Sequence, residues 1–380
     1  MHSKHGIDIL IISTNPSVHY FYSIWAVNRA IHVSCDKPPI VFANAAYDFN
    51  QAKAISTAYD RLLQGIKLRN KESTYYFNLP LRRRAMTAFL YIANSISEIY
   101  DKTSQPITHI NIIVNNGILR YPQEFLHEGA HGYLDGVGSL CHSNYHYIDI
   151  VAWYISLMKE LVKYVRITPQ YVYRVRDYIE LEGYRIAQEF IEDKSNNINN
   201  KVKLPESVLN SELDAIFNIE LINKKQQTVG VINYQTNHTS YTPRTVQYDP
   251  SILDPANVQG RMSHIYFDIH QGVFQNIQLF KNDVVCEKYS INTIRRQHPS
   301  IGIPYEIKVF NNPYEKNTVT AQDLLIAFIK QSAGVSVNKN HLKHLATLES
   351  QRLSIELFAA FYKAVSKHFS GETKSVIVRV

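Results

Sequence analysis

Two histidines four residues apart mark the segment of this chain with the strongest chemical character. The segment, GSLCHSNYHYID at residues 138–149, contains His142 and His146. Residues four apart lie on one face of a helix, so both imidazoles could reach the same ligand. Because histidine titrates near neutral pH, this spacing predicts a pair of groups that take up and release protons.

A second group of polar residues is predicted at one rim of a parallel β-sheet. Residues 7–12 form a nearly continuous apolar run, which is typical of a strand buried on both faces. Ser17 could cap an amphipathic helix that follows, and the short strand Ile31–Cys35 then leads to Asp36 and Lys37. Ligands of open α/β sheets bind at the carboxyl ends of the strands. We therefore expect residues 13–19 and the Asp36-Lys37 pair to share one rim.

A competing motif is HEGAH at residues 127–131, which matches the H-E-x-x-H pattern of zinc proteases. Glycines at positions 129, 132 and 136 weaken the helix that this chemistry needs, by about 1 kcal/mol each. We therefore expect no metal here. Two alternatives stay open: a zinc protease, and a structural metal site built from His127, His131, Cys141 and His142.

Taken together, these segments resemble the Gfo/Idh/MocA oxidoreductases, named for glucose-fructose oxidoreductase and inositol dehydrogenase. The resemblance rests on the apolar strand, T-x-P-x-x-H at residues 14–19, the amphipathic helix, His32-Val33 and Asp36-Lys37-Pro38. Asp36 replaces the glutamate usual in the family. Residues 138–149 resemble the family motif G-x-L-x-D-x-x-x-H-x-x-D, with His142 at the carboxylate position.

The resemblance implies a nicotinamide cofactor, NAD or NADP, and a sugar, cyclitol or related alcohol or carbonyl substrate. In this comparison His146 is the acid–base group, Lys37 orients and polarises the substrate oxygen, and His142 contacts the substrate or relays a proton. The expected cofactor contacts are Ser13, Thr14, Asn15, Pro16, His19, Asp36, Lys37 and Pro38. The further substrate contacts are Arg83, Asn144 and Asp149.

The predicted architecture combines an α/β and an α+β domain. Residues 1–103 are expected to form a partial NAD(P)-binding, Rossmann-like parallel sheet with helices at 45–63 and 80–100. Residues 104–380 are expected to form an α+β domain with a large open, mostly antiparallel sheet between residues 215 and 287. Helices are predicted at 150–165 and 169–192. The resemblance gives this second domain roles in substrate binding and in homo-oligomer formation.

The phosphate-binding turn of a dinucleotide-binding domain, G-x-G-x-x-G, does not occur in this sequence. The chain therefore resembles a family member without its first βαβ units. A start codon assigned too late, or a split or decayed gene, would explain this. The alternative is a non-catalytic remnant, or a binding or assembly subunit that retains the fold.

Composition narrows the class of protein further. With 380 residues, a net charge of +7 and scattered lysines and arginines, the chain shows one tight basic cluster, at residues 82–84. No RNA-binding aromatic motif accompanies the charge, so we expect no nucleic-acid partner. Three cysteines do not make a disulfide framework, which predicts a cytoplasmic protein. No apolar run approaches the ~18–20 residues needed to span a bilayer, so no membrane association is expected.

Overall fold

Two β-sheets form the framework of the protein. The structure, a computed structural model, describes residues 6–117, 125, 132–186, 203–241, 263–281, 290–310, 321–337, 345–372 and 374–380. In these ranges the strands are β1 (Ile9–Ile12), β2 (His32–Cys35), β3 (Phe77–Leu79), β4 (His109–Asn115), β5 (Val162–Arg174), β6 (Glu212–Asn223), β7 (Thr228–Asn237), β8 (His264–Gln271), β9 (Gln275–Lys281), β10 (Ile291–Gln297), β11 (Tyr305–Phe310), β12 (Ala346–Thr347) and β13 (Val376–Arg379).

Helices cover one or both faces of these sheets. They are α1 (His19–Asn28), α2 (Phe49–Glu72), α3 (Arg82–Ala85), α4 (Thr87–Thr103), α5 (Tyr145–Ser156), α6 (Val175–Ile179), α7 (Glu206–Leu209), α8 (Ala321–Ser332) and α9 (Arg352–Phe369). A 3₁₀ turn at Pro16–Val18 precedes α1, and a π-helical turn at Leu140–Asn144 runs directly into α5.

The first sheet has the strand order β1-β2-β3-β12. Its first three strands are parallel, and β12 is antiparallel to β3. Ile12 pairs with Cys35, so β1 and β2 end at the same level. The prediction that the residues following both strands share one rim is therefore confirmed.

Helices α1 and α2 pack together, and specific contacts fix both ends of α2 and the C-terminal end of α1. The Asp48 carboxylate caps α2 by accepting from the backbone N–H groups of Asn50 (2.8 Å) and Gln51 (3.3 Å). At the other end, Arg69 donates to the carbonyls of Val27 (3.0 Å) and Asn28 (2.7 Å) at the end of α1. These contacts hold α1 in place behind the rim.

The second sheet has the order β11-β10-β9-β8-β4-β7-β6-β5-β13 and is antiparallel except where β4 pairs with β7. One face is buried beneath α5 and α9, where the Phe217 and Phe361 rings meet edge to face at 4.5 Å. Helix α9 also packs on α2, which joins the two sheets. The predicted fold class, a parallel α/β part followed by an α+β part with a large open sheet, is confirmed.

Helix α4 ends at Thr103. The first sheet includes β12, a strand formed by residues 346–347, so the chain returns to its first part near its end. No helix in the described part of the chain is long and apolar enough to cross a membrane.

Two predicted helices differ from the structure. Helix α5 ends at Ser156, and Val162–Arg174 is a strand, so a helix over residues 150–165 is wrong beyond residue 156. A helix over 169–192 is also wrong where described, except for α6 and residues 182–186. The physical reason is the two-residue burial period of β-branched residues such as Val165 and Ile167, which suits a strand lying over a core.

We predict that Gly230→Ala destabilises the protein by about 2 kcal/mol, a typical cost of overpacking. A Cβ at this position in β7 would lie 2.2 Å from the carbonyl oxygen of Ile107, a backbone atom that cannot move aside alone. Urea unfolding measures the effect. Gly183→Ala is the matched control, because an added Cβ there meets nothing within 4 Å. Equal midpoints for the two variants would contradict the prediction.

Candidate active site

The rim is built from the turns that follow β1 and β2. Ser13, Thr14 and Asn15 are exposed there, whereas Pro16 is buried. The Asn15 side-chain oxygen accepts a hydrogen bond from the backbone N–H of Ser17 (3.4 Å) and so caps the short 3₁₀ turn. The first predicted group of cofactor contacts thus presents its polar atoms to solvent.

His19 connects the two turns through its buried imidazole ring. Its side chain is fully buried, with Nδ1 2.8 Å from the carbonyl oxygen of Pro38 and Nε2 3.1 Å from that of Thr14. Carbonyl oxygens only accept, so a neutral imidazole satisfies one of these contacts and an imidazolium satisfies both. His19 therefore fixes the spacing of the two turns and does not face a ligand.

Lys37 connects the rim to the second sheet. Its backbone N–H donates to the exposed Asp36 carboxylate (2.8 Å), and the Lys37–Pro38 peptide bond is cis. Its ammonium Nζ donates to the backbone carbonyl of His142 in the π-helical turn (2.9 Å). Burial lowers the pKa of Lys37, and nearby Arg83 lowers it further against the opposing effects of Asp36 and Cys141.

His146 lies one turn further along, in α5. Burial holds the pKa of its imidazole well below the ordinary value, and the positive charges of Lys37, Arg83 and Arg82 lower it further. The imidazole is thus neutral at physiological pH. Its Nδ1 is buried and has no hydrogen-bond partner among the described residues.

Arg83 completes a group that we call the Lys37–His146–Arg83 cluster. Its guanidinium carbon lies 4.4 Å from the centroid of the Tyr147 ring, a cation–π contact. Its Nε is buried and, within the described ranges, has no hydrogen-bond partner. The structure therefore brings these three predicted site residues together.

Asp149 lies in the protein interior. Its carboxylate forms a two-point ion pair with Arg84, with distances of 2.7 Å to Nε and 2.6 Å to Nη2. It also accepts from the Ser354 hydroxyl (2.7 Å). These contacts tie α5 to α3 and α9, so protein donors occupy both oxygens of this predicted substrate contact.

Asn144 is likewise engaged within the protein. Its amide nitrogen donates to the Ser139 carbonyl (2.9 Å) and the Thr236 hydroxyl (2.6 Å), and its amide oxygen accepts from the Tyr234 hydroxyl (3.1 Å). This predicted substrate contact fixes the π-helical turn to β7.

The His142 imidazole has different surroundings from that of His146. It packs edge to face on His238, with ring centroids 5.4 Å apart. His238 is buried, with Nδ1 2.6 Å from the Tyr133 hydroxyl and Nε2 3.0 Å from the Ser143 hydroxyl. The sequence analysis missed His238 and Tyr133. His238 directly follows β7, and no local sequence pattern indicated a role for it.

Glu212 is a further residue that the sequence analysis missed. Its buried carboxylate accepts from the backbone N–H groups of Gly138 (2.8 Å) and Leu140 (3.0 Å) and from the Tyr362 hydroxyl (3.1 Å). Burial outweighs these hydrogen bonds and raises the pKa of Glu212 to about 7. A Cβ on Gly138 would lie 1.7 Å from the Glu212 carbonyl oxygen, so the glycine lets β6 approach the turn.

The described residues contain no group of three or more His, Cys, Asp or Glu side chains that could hold a metal ion. Residues 127–131 of the HEGAH motif lie outside the described ranges, so neither metal alternative is tested. Cys35 and Cys141 are buried free thiols, and burial raises the pKa of each, which makes them poor nucleophiles.

Several solved structures share this fold over almost the whole chain. An aldose-aldose oxidoreductase from Caulobacter crescentus, complexed with glycerol, has a TM-score of 0.54 and 10% identity, covering 100% of this chain and 81% of that one. An oxidoreductase from Agrobacterium radiobacter in complex with NAD+, L-tartaric acid and magnesium has a TM-score of 0.51 and 11% identity, covering 99% and 81%.

A super-repressor mutant of Gal80p from Saccharomyces cerevisiae is similar as well, with a TM-score of 0.54 and 13% identity, covering 98% of this chain and 80% of that one. At such identities the likeness establishes the fold. A scan against protein-family models and a search of curated proteins found no match.

We predict that Asp149→Asn lowers the free energy of unfolding by about 3–5 kcal/mol, because it leaves the Arg84 guanidinium buried without a counter-charge. Denaturant unfolding measures this. Asp60→Asn is the control, since the Asp60–Arg352 pair has side chains 62% and 54% exposed. Removing that exposed pair is expected to cost about 1 kcal/mol or less. Similar losses in both variants would refute a special role for the buried pair.

Glu212 generates a pH-dependent prediction. Its pKa is about 7 in the folded protein against an ordinary value of 4.5, so the folded state holds the proton more tightly. Its contribution to stability is full below pH 4.5 and is lost as pH rises toward 7, a change of about 3 kcal/mol. Glu212→Gln should flatten the pH dependence of the unfolding free energy in this window.

The control for this experiment is Glu160→Gln, an exposed glutamate that should leave the slope unchanged. An unaltered slope in Glu212→Gln would show that the Glu212 carboxyl does not titrate in this range.

Proposed function

We propose that the protein is an NAD(P)-dependent oxidoreductase acting on an alcohol or carbonyl group of a sugar, cyclitol or related compound. The observation that carries this proposal is the Lys37–His142 contact. It brings an ammonium from the carboxyl end of β2 to the π-helical turn that leads into α5, the helix that carries His146. Oxidoreductases from Caulobacter crescentus and Agrobacterium radiobacter share the fold in which this occurs.

The rim supplies groups that suit the nicotinamide end of a dinucleotide. Ser13, Thr14, Asn15 and Asp36 are exposed and offer hydroxyl, amide and carboxylate groups, while buried His19 fixes the turns that carry them. These residues, with Pro16, Lys37 and Pro38, would hold that end of NAD or NADP. When bound, the nicotinamide ring supplies the hydride donor or acceptor.

The residues of the cluster have separate chemical roles. One N–H of the Lys37 ammonium bonds the His142 carbonyl, which leaves two for a substrate oxygen, where they stabilise developing negative charge. His146 is kept deprotonated by its low pKa, the state that a general base requires. Its Nδ1 is the atom we assign to hold or release the substrate hydroxyl proton.

A second candidate function is a non-catalytic binding or assembly subunit. The absence of G-x-G-x-x-G from the sequence favours it, because that turn is the usual holder of the dinucleotide pyrophosphate. The fold is also shared with a super-repressor mutant of Gal80p. The two candidates differ in whether the chain binds a dinucleotide and turns over a substrate.

Fluorescence titration with NADH and NADPH tests the proposal, and we expect one of them to bind. Turnover on a panel of sugars and cyclitols should then fall about 100-fold or more in Lys37→Met and in His146→Gln, because proton transfer and charge stabilisation are lost. His146→Gln should retain dinucleotide affinity, because His146 is not among the residues that hold the cofactor.

Lys67→Met removes an exposed lysine elsewhere and should leave both properties unchanged. Failure of the unmodified protein to bind either dinucleotide would overturn the catalytic proposal and favour the second candidate.

A further inference from the structure

The Lys37–His146–Arg83 cluster is unusual in its charge balance. Arg84, next in sequence to Arg83, has its charge matched by the buried Asp149 carboxylate. Lys37 and Arg83 form no ion pair with any carboxylate that the structure describes, and the acidic neighbour of Lys37, Asp36, is exposed. The positive charges of Lys37 and Arg83 in this cluster therefore have no buried counter-charge among the described residues.

Hydrogen bonding shows the same imbalance. Arg83 Nε and His146 Nδ1 are buried polar atoms with no partner in the described part of the chain. Leaving such an atom unsatisfied costs the desolvation of its polar group. Among the neighbouring polar residues, Asn144, Asp149 and Glu212 each bond two or more protein partners. Buried atoms without a partner also occur elsewhere in the described chain, Arg176 Nε among them, but here two of them belong to basic side chains of one cluster, which indicates positions completed by a ligand.

We propose that the substrate of this site carries an anionic oxygen group, a carboxylate or a phosphate, which binds Arg83 beside Lys37. This inference rests on the proposed function and names the class of its substrate. The guanidinium plane presents paired donors that match the two oxygens of such a group. A hydroxyl of the same molecule then reaches His146 Nδ1.

The site is expected to distinguish neutral from anionic compounds by whether they supply a counter-charge. A neutral sugar can hydrogen-bond Arg83 Nε, but it leaves the charges of the partly buried Arg83 and Lys37 without a counter-charge. A hydroxy acid or a sugar phosphate supplies both the hydrogen bond and the counter-charge. The site therefore selects sugar acids or phosphorylated polyols over their uncharged counterparts.

Calorimetric titration of the full-length protein with matched pairs tests the proposal. The pairs are D-gluconate with D-glucitol, which probes a carboxylate, and D-glucose 6-phosphate with D-glucose, which probes a phosphate. We expect the charged member of at least one pair to bind at least tenfold more tightly. Arg83→Gln should abolish that preference, whereas Arg61→Gln, which removes an exposed arginine, should retain it.

Inorganic phosphate is the probe for a second measurement, which does not depend on the choice of sugar. NMR titration of the histidines, with His146→Gln to assign the signal, should show that phosphate raises the pKa of His146 toward its ordinary value. The same phosphate concentration should have no such effect in Arg83→Gln. The proposal is overturned if the pKa of His146 does not respond to phosphate, or if the response or the anion preference persists in Arg83→Gln.

The outcome is separable from that of the dinucleotide test. Dinucleotide binding without an anion effect would leave the oxidoreductase proposal standing with a neutral substrate. An anion effect without dinucleotide binding would retain the anion site and remove the redox function.

Discussion

The buried ion pair between Arg84 and Asp149 is the interaction on which the arrangement of the two sheets depends. Arg84 lies in the short helix α3 that follows the first sheet, Asp149 in the helix that carries His146, and Ser354, a third partner, in the last helix. Separating these groups would leave buried charges without partners, so the pair holds α3, α5 and α9 in this relative position. That position brings the rim of the first sheet to the π-helical turn.

Whether a buried polar side chain has all its hydrogen-bond partners within the protein then distinguishes structural residues from ligand-binding residues. Three adjacent arginines share a sequence environment, yet Arg84 is fully paired while Arg83 keeps an unsatisfied buried Nε. The same criterion distinguishes the residues of the His142 segment, because Asn144 and Asp149 are saturated and His146 Nδ1 is not. Within this segment of twelve residues, Asn144 and Asp149 fix the backbone, and His146 between them is open to a ligand.

How much of this was predictable from the sequence depended on the range of the interaction involved. The rim was predictable because strand, turn and helix are neighbours in the chain. The carboxyl ends of parallel strands also lie at the same edge of a sheet, where ligands bind. Glu212 and His238 were not, since they meet the His142 segment across 74 and 95 residues through strand pairings that no local pattern specifies. The missed strand β5 shows the local limit, because Tyr, Val and Arg residues there also fit a helix until the sheet covers their alternate faces.

Electrostatics links the open positions to one another. Burial lowers the pKa values of both Lys37 and His146, and the positive charge of Arg83 lowers both of them further. An anion bound at the cluster would raise the pKa of both groups. By linkage, a ligand that raises their proton affinity is itself bound more tightly by the protonated site. Proton uptake and anion binding are therefore coupled at this rim. The His146 imidazole is therefore a neutral base before the ligand binds. The negative charge of the bound ligand then makes it a stronger base.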